Sequence, residues 1–376
     1  MVIYKLKTGD EVHDYEKSIV VQFNGEREVL STGPINGGHR KDLKFAFNHD
    51  ANPGAGMKCA LRAPTYEEHM YLIAGELGLD PEKTTGISTA ASMRNVSIVE
   101  ESYRDITVTA IVTGGIETNG GRVGDPASNY EEQGKFQDVK NGTINIILVI
   151  DADLTSGALT RSLVTCTEGK TAAIQELMEG SKYSRGIATG SGTDGTIIIC
   201  NSESKIKLTS AGKHSKLGEL IGIAVKKSVK EALFFQSGLC PQYQHSLLRR
   251  IKRFGVNENL IWQKYIDIKE NLEDILGKPE FINNLHRIDK EDKIVTLTSL
   301  YVHLLDQLDW ELLSIEEVEN EGKNILSRIM EESIISDVAY ELEIHNKDKT
   351  IDGTVSFMVD KFVETIAIIS GKIVFE

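Results

Sequence analysis

The chain has 376 residues and carries 56 acidic against 42 basic side chains, which gives a formal net charge of -14 at pH 7. This charge argues against proteins that hold nucleic acid or an anionic membrane by electrostatic attraction. The length predicts two domains, or one large domain with an extension.

The sequence also indicates a cellular compartment. No segment has an apolar run of signal-peptide or membrane-spanning length. The four cysteines, Cys59, Cys166, Cys200 and Cys240, have no short metal-binding spacing, and we interpret them as reduced thiols. We therefore expect a cytoplasmic protein without disulfides, without a catalytic metal and without nucleic-acid or membrane partners.

The N-terminal segment, residues 1–62, is predicted to be rich in β-structure. Residues 19–23 and 28–31 have strand composition, and Asn24-Gly25 between them predicts a two-residue hairpin turn. A helix should follow, because Thr65 and Glu68 form a capping box. We interpret this helix as scaffold.

A polar, glycine-rich stretch follows the second of these strand candidates, within the N-terminal segment. It contains Asn36, Gly37 and Gly38 within residues 33–39. Amide side chains beside flexible glycines can line a polar ligand site, but such a cluster is also typical of a plain turn.

The strongest strand signal is the run GTINIILVID, residues 142–151. A short apolar run with acidic and glycine ends predicts a central strand that is buried on both faces. Three β-like runs between residues 85 and 113 predict a sheet of at least four strands that includes this one. Thr143 stands at the strand's start, directly after Gly142, where its hydroxyl is a candidate nucleophile. Threonine is also an ordinary strand residue.

Two further glycine-rich loops flank this strand in the sequence. Residues 114–124 contain five glycines and Asn119, whose side chain can donate a hydrogen bond to a carbonyl oxygen. Residues 186–195 form a second glycine-rich strand and turn, which includes Asp194. Neither loop has a dinucleotide or P-loop signature, so each is weak as a motif by itself.

Two long helices are predicted after the central strand. The first opens at residues 153–155, and its Arg161, Glu168 and Lys170 read as a solvated face. The second is N-capped by Ser215. His214 would thus lie at a helix N-terminus, where the dipole favours the neutral imidazole of a general base, although a surface or capping histidine fits equally well.

Beyond residue 231 the pattern changes to apolar stripes at helical spacing with many charges. This predicts an all-α region from about 236 to 345 and a further helix around 354–368. No catalytic constellation stands out there.

Five blocks of the sequence resemble the adenosylcobinamide amidohydrolase family. They are Asn36-Gly37-Gly38, TGGIETNGGRVGDPA (113–127), GTINIILVIDADLTSGALTRS (142–162), ATGSGTDG (188–195) and AGKHSKLGELIG (211–222). The resemblance spans about residues 15–232. It implies an amidohydrolase domain over residues 1–232, followed by a helical region of unknown role over 233–376. It also implies hydrolysis of the amide between the aminopropanol arm and the corrin ring, which yields adenosylcobyric acid in corrinoid salvage.

A weaker resemblance covers only residues 119–125 and 142–147, which are similar in order and spacing to blocks of self-cleaving D-aminopeptidase-type hydrolases. It implies an α/β/β/α sandwich for the first domain, and hence an α+β protein with an all-α C-terminal extension. It also implies Thr143 as nucleophile and Asn119 as oxyanion donor. Because the first resemblance covers far more residues and implies no processing, we expect an uncut chain.

The residues named so far are compatible with more than one catalytic mechanism. If Thr143 attacks, its own freed amine or His214 takes the proton, and Asp194 orients the base or holds the leaving amine. Otherwise His214 activates a water, with Asp194 and Glu219 as carboxylate partners. The resemblance further implies a substrate-binding set, which comprises Asn36, Gly37, Gly38, Gly124, Asp125, Gly190, Gly192, Thr193 and Lys213.

The expected partner is a small corrinoid, and a homo-oligomer fits as well. We expect no resident cofactor, because cobalt would enter only within the substrate. Two other functions compete, namely a self-processing aminopeptidase or acyltransferase and a non-enzymatic corrinoid-binding protein.

Overall fold

The computed structural model describes residues 1–54, 61–127, 142–269, 276–332 and 346–371. The chain divides into two compact units, Met1–Cys240 and Pro241–Glu376. None of the helices in these described ranges is both long enough and apolar enough to cross a membrane.

All strands described belong to the first unit. In chain order they are β1 (Val2–Lys5), β2 (Glu11–Tyr15), β3 (Ser18–Gln22), β4 (Arg27–Ser31), β5 (Gly38–Arg40), β6 (Phe45–Asp50), β7 (Thr84–Thr89), β8 (Ser97–Tyr103), β9 (Ile106–Gly115), β10 (Gly120–Gly121), β11 (Thr143–Ile150), β12 (Asp153–Leu154), β13 (Gly190–Ser191), β14 (Gly195–Asn201) and β15 (Lys207–Leu208). The same unit contains the helices α1 (Tyr66–Glu76), α2 (Ser156–Glu176) and α3 (Lys216–Ser237).

The strands form two main sheets that pack face to face. The first has the order β1-β2-β3-β6-β7, and the second the order β5-β4-β14-β11-β9-β8. Alternate residues of β3 point to opposite faces. Ile19 and Val21 join Ile147 of β11 in the core between the sheets, whereas Val20 packs with Met70 of α1.

Helices cover both outer faces. Helix α1 lies on the first sheet, and α2 and α3 pack on each other and on the second. The capping box of Thr65 and Glu68 is present, and Thr155 and Ser215 cap α2 and α3. The predicted α/β/β/α sandwich and α+β class are therefore confirmed.

The central strand is also confirmed. All eight residues of β11 are buried, and the strand pairs with β9 on one side and β14 on the other. Only two of the three runs predicted to share its sheet do so, because β7 pairs with β6 in the first sheet. A short apolar run specifies a buried strand but not the sheet that it joins.

The predicted hairpin at Asn24-Gly25 is wrong. Strand β3 pairs with β2 and β6, whereas β4 pairs with β14 and β5, so the chain crosses here from one sheet to the other. Asp10 holds the crossing, since its carboxylate accepts the Asn24 amide at 2.7 Å and pairs with the buried Arg27 at 2.8 Å.

The second unit is helical, as predicted. It contains α4 (Leu247–Ile251), α5 (Glu258–Lys269), α6 (Lys278–Ile288), α7 (Asp292–Asp309), α8 (Ile315–Glu332) and α9 (Ile351–Ser370), packed around one apolar core. The predicted apolar stripes also include Leu272, Ile275, Ile334 and Val338, which lie outside the described residues. The units divide after residue 240 rather than 232, because α3 continues to Ser237.

Candidate active site

Thr143 is the first residue of β11 and lies beside the start of the parallel strand β14. The preceding Gly142 has φ +137°, and a Cβ there would lie 2.7 Å from the Asn119 Cβ. Only glycine fits this conformation and this close approach. The two glycine-rich loops therefore meet at the start of the central strand.

The Gly142 carbonyl oxygen accepts two side-chain hydrogen bonds. Asn119 Nδ2 donates to it at 3.0 Å and Thr193 Oγ1 at 2.8 Å. The Thr143 hydroxyl, which is nearly buried, lies 2.7 Å from the same Thr193 oxygen. A potential nucleophile and two donors thus surround one carbonyl group, as amide chemistry requires.

Tyr183 fixes the orientation of Asn119. Its hydroxyl donates to Asn119 Oδ1 at 2.6 Å, which leaves the Asn119 amide nitrogen directed at Gly142. The loop itself is anchored by the pairing of β10 with β13. Sequence reasoning missed Tyr183, because it belongs to no glycine-rich block.

Asp194 lies at the same end of the sheet and accepts several hydrogen bonds. Its Oδ1 accepts the Ile144 amide at 2.9 Å and the Ser191 hydroxyl at 2.7 Å. Its Oδ2 accepts the Ser191 amide at 3.0 Å and pairs with Lys170 Nζ. The prediction that Lys170 belongs to a solvated face is wrong, since its side chain is mostly buried against this carboxylate.

Asp125 ties the Asn119 loop to the segment that carries Tyr183. Its carboxylate accepts the Arg122 amide at 2.8 Å and the Ser181 hydroxyl at 2.5 Å. Burial acts to raise the pKa of Asp125, but these hydrogen bonds and one from Ser184 lower it on balance. Gly124, at φ +92°, forms the turn before it. Both residues therefore shape the loop.

The remaining residues of the 188–195 block surround Asp194. A Cβ on Gly190 would lie 2.3 Å from Asp194 Oδ2, so this glycine leaves room for the carboxylate. Gly192 lies in the exposed turn between β13 and β14, where a Cβ would meet no other atom.

A buried polar network lies behind Thr143 and was not predicted. Asn145 Nδ2 donates to Asn48 Oδ1 at 2.7 Å and to the Ser88 carbonyl at 2.9 Å, and its Oδ1 accepts the Gly195 amide at 2.9 Å. Asn48 in turn donates to Thr113 at 2.7 Å. The sequence did contain a signal for this network, because Asn145 is an asparagine inside an otherwise apolar strand. Because every polar group of Asn145 has a partner, the network fixes the two sheets together at this end.

His214 lies away from this site. Leu233, near the end of α3, packs where Gly114 and Ile144 meet, whereas His214 precedes the first turn of the helix. The seventeen helical steps from residue 216 to residue 233 span about 25 Å. The structure therefore does not bring His214, or Glu219 in the first turn of α3, to Thr143. Lys213, directly before His214, pairs with Glu168 of α2 at 3.4 Å.

The Asn36 loop is also separate from Thr143. Asn36 Nδ2 donates to the carbonyls of Pro81 at 2.7 Å and Thr84 at 2.8 Å. Thr84 begins β7, whereas Asn145 reaches Ser88, about 13 Å further along that strand. Gly37 and Gly38 shape the turn, since a Cβ on Gly37 would lie 2.3 Å from the Gly33 oxygen and Gly38 has φ +78°. This stretch is a turn in the fold.

Two of the cysteines are unsuited to act as an alternative nucleophile in the part of the chain that the structure describes. Cys166, Cys200 and Cys240 are free thiols there, and Cys59 lies outside it. Burial raises the pKa of Cys166 to about 12 and that of Cys200 to about 11. Both thiols thus stay protonated at neutral pH. Within the described ranges, no group of three or more His, Cys, Asp or Glu side chains forms a potential metal site.

Comparisons with known proteins cover the first unit of the chain. Residues 3–241 match the family model described as adenosylcobinamide amidohydrolase. An uncharacterised protein of Methanocaldococcus jannaschii is 34% identical over 238 residues, which cover 60% of this chain and 89% of the relative. An adenosylcobinamide amidohydrolase of Methanosarcina mazei is 29% identical over 231 residues, which cover 59% of this chain and 97% of the relative. The chain therefore belongs to the adenosylcobinamide amidohydrolase family.

Proposed function

We propose that the first unit hydrolyses the amide that joins aminopropanol to the corrin ring of adenosylcobinamide, and so yields adenosylcobyric acid in corrinoid salvage. Family membership supports the reaction class. One observation carries the assignment of the site, namely that two donors converge on a carbonyl oxygen beside the Thr143 hydroxyl.

In the proposed reaction the Thr143 hydroxyl adds to the amide carbon of the substrate and loses its proton to a base. Asn119 Nδ2 and the Thr193 hydroxyl stabilise the oxyanion that forms. The tetrahedral intermediate then collapses, and aminopropanol leaves after it takes up a proton. Water hydrolyses the Thr143 ester to the corrinoid carboxylate and restores the hydroxyl.

The identity of the general base depends on whether the chain is cut before Thr143. In the intact chain the Gly142 carbonyl occupies both donors that the substrate carbonyl requires. Cleavage before Thr143 would release this carbonyl and would create an α-amine close to the Thr143 hydroxyl, where it could serve as base. This arrangement supports a cut chain, whereas the sequence led us to expect an uncut one.

No resident cofactor enters this scheme, and cobalt arrives only as part of the corrinoid. The second candidate function is a self-processing aminopeptidase or acyltransferase that acts on small amines. The same contacts around Gly142 favour it, because they suit attack by Thr143 on its own preceding peptide.

The decisive experiment incubates the purified full-length chain with adenosylcobinamide and measures released aminopropanol by mass spectrometry. Thr143→Ala should release none, whereas Thr160→Ala, an exposed helix position, should match the wild type. Binding of the corrinoid without release would support a binding protein instead. Release of amines only from short peptides or amino-acid amides would support the aminopeptidase.

A further inference from the structure

Lys170 and Asp194 form an ion pair that is almost completely enclosed. Their side chains are 12% and 11% exposed, and Lys170 reaches the carboxylate from helix α2. Lysine is rarely buried without a partner charge. Removing either member of such a pair leaves an uncompensated charge, which is strongly unfavourable.

The carboxylate of this pair connects three parts of the site. It accepts the backbone amide of Ile144, the residue after Thr143, and both polar groups of Ser191. The space around it is fully used, because a Cβ on Gly190 would lie 2.3 Å from Asp194 Oδ2 and 2.8 Å from Lys170 Nζ. Any change in its charge therefore acts directly on the start of β11.

An ionised carboxylate only accepts hydrogen bonds, whereas a protonated one also donates. The contacts of Asp194 with Ile144 and Ser191 all use it as acceptor. The cation of Lys170 balances the charge that makes this arrangement possible.

We propose that Lys170 is a positioning residue for the reaction at Thr143. It holds the Asp194 carboxylate in place, and Asp194 in turn holds the Ile144 amide, so that the Thr143 hydroxyl stays aligned with Thr193 and the Asn119 amide. This inference rests on the proposed function of the site.

The test uses full-length Lys170→Met, Asp194→Asn and the double variant Lys170→Met/Asp194→Asn. Lys170→Met should lower kcat about 100-fold with KM changed less than about threefold, because small displacements at a reacting centre cost about this much. The double variant has no unpaired charge and should regain the thermal stability that each single variant loses. Its kcat should nevertheless stay low.

Two variants serve as controls. Lys170→Arg keeps the cation and should recover at least part of kcat. Lys226→Met removes a lysine of α3 that pairs with Glu176 in a more exposed setting, and it should leave kcat unchanged. Wild-type kcat in Lys170→Met, or recovery of kcat together with stability in the double variant, would show that the ion pair is only structural.

A second readout does not need the corrinoid. A β-lactone acylates nucleophilic hydroxyls, and the rate at which it labels Thr143 can be followed by peptide mass spectrometry. We expect labelling of Lys170→Met to be at least tenfold slower than labelling of the wild type. Labelled wild type that releases no aminopropanol would contradict the proposed function but not this inference. Equal labelling rates, or no labelling of wild-type Thr143, would overturn the inference.

Discussion

The peptide bond between Gly142 and Thr143 is central to both candidate functions of this site, namely corrinoid amide hydrolysis and self-processing. The Gly142 carbonyl already accepts hydrogen bonds from the groups that would stabilise an oxyanion. We therefore expect purified protein to contain a fragment that begins at Thr143, which intact-mass measurement detects directly. Thr143→Ala should remain a single chain of full mass. A fully active, uncut wild type would instead require Gly142 to move away when substrate binds.

Asn119 and Tyr183 act as one unit in this geometry. Asn119→Ala should lower kcat by a factor of about 100 to 1000, the usual effect of removing one oxyanion donor. Tyr183→Phe should lower kcat less, because the amide remains but loses its 2.6 Å hydrogen bond. Since Tyr183 works through Asn119, the double variant should be no slower than Asn119→Ala. Additive losses in aminopropanol release would show that Tyr183 acts independently.

His49, in β6, gives the stability of the fold a pH dependence. Burial is the largest cause that lowers its pKa, and together with the nearby His69 and Lys17 it brings the pKa to about 4. Above pH 6.5 the histidine is neutral in both the folded and unfolded states. Between pH 6.5 and 4 only the unfolded chain takes up the proton, so the free energy of unfolding should fall as the pH falls.

At pH 5 this loss should reach about 2 kcal/mol for His49. Urea unfolding at pH 7 and pH 5 measures it, and His49→Gln should show a smaller decrease than the wild type. His286→Gln, which alters a largely exposed histidine, is the matched control. An identical decrease in the wild type and His49→Gln would contradict the assignment.

At the scale of the secondary-structure elements, the direction of helix α3 determines which of its two ends lies near Thr143. His214 precedes the N-terminus of this helix, whereas Leu233 packs against Ile144 near its C-terminus. His214→Ala should therefore keep kcat within about twofold of the wild type, because an exposed residue remote from the site affects neither chemistry nor packing. Aminopropanol release at several pH values checks this. A large loss of kcat with unchanged thermal stability would return His214 to the mechanism.

Patterns within one segment predicted this architecture well. The apolar run of β11, the capping box of α1 and the cap of α3 are local features, and each lies where expected. Pairings between distant segments could not be predicted. Lys170 meets Asp194 only because α2 and β14 pack together, and no spacing in the sequence reports that contact. The wrong hairpin has the same cause, since Asn24-Gly25 fits a turn and a crossing between sheets equally well.

At the scale of the whole molecule, the two compact units suggest separate roles. Residues 3–241 match the family model, and the Methanosarcina mazei relative is covered over 97% of its length by 59% of this chain. The candidate site residues also lie in the first unit. The sequence placed the boundary near residue 232, within α3, so the position of a truncation becomes important.

We predict that residues 1–240 fold alone and keep kcat within about twofold of the full-length chain. A shorter truncation after Lys230 should fail, because it removes the fully buried Ala232 and Leu233. It also removes Gln236, which accepts hydrogen bonds from the Ser92 amide at 3.1 Å and from Asn95 at 2.9 Å. Loss of one buried leucine side chain alone costs about 2–5 kcal/mol. Circular dichroism and urea unfolding compare the two truncations, and aminopropanol release measures their activity. A folded 1–240 protein without turnover, beside an active full-length chain, would give the helical unit a part in the chemistry.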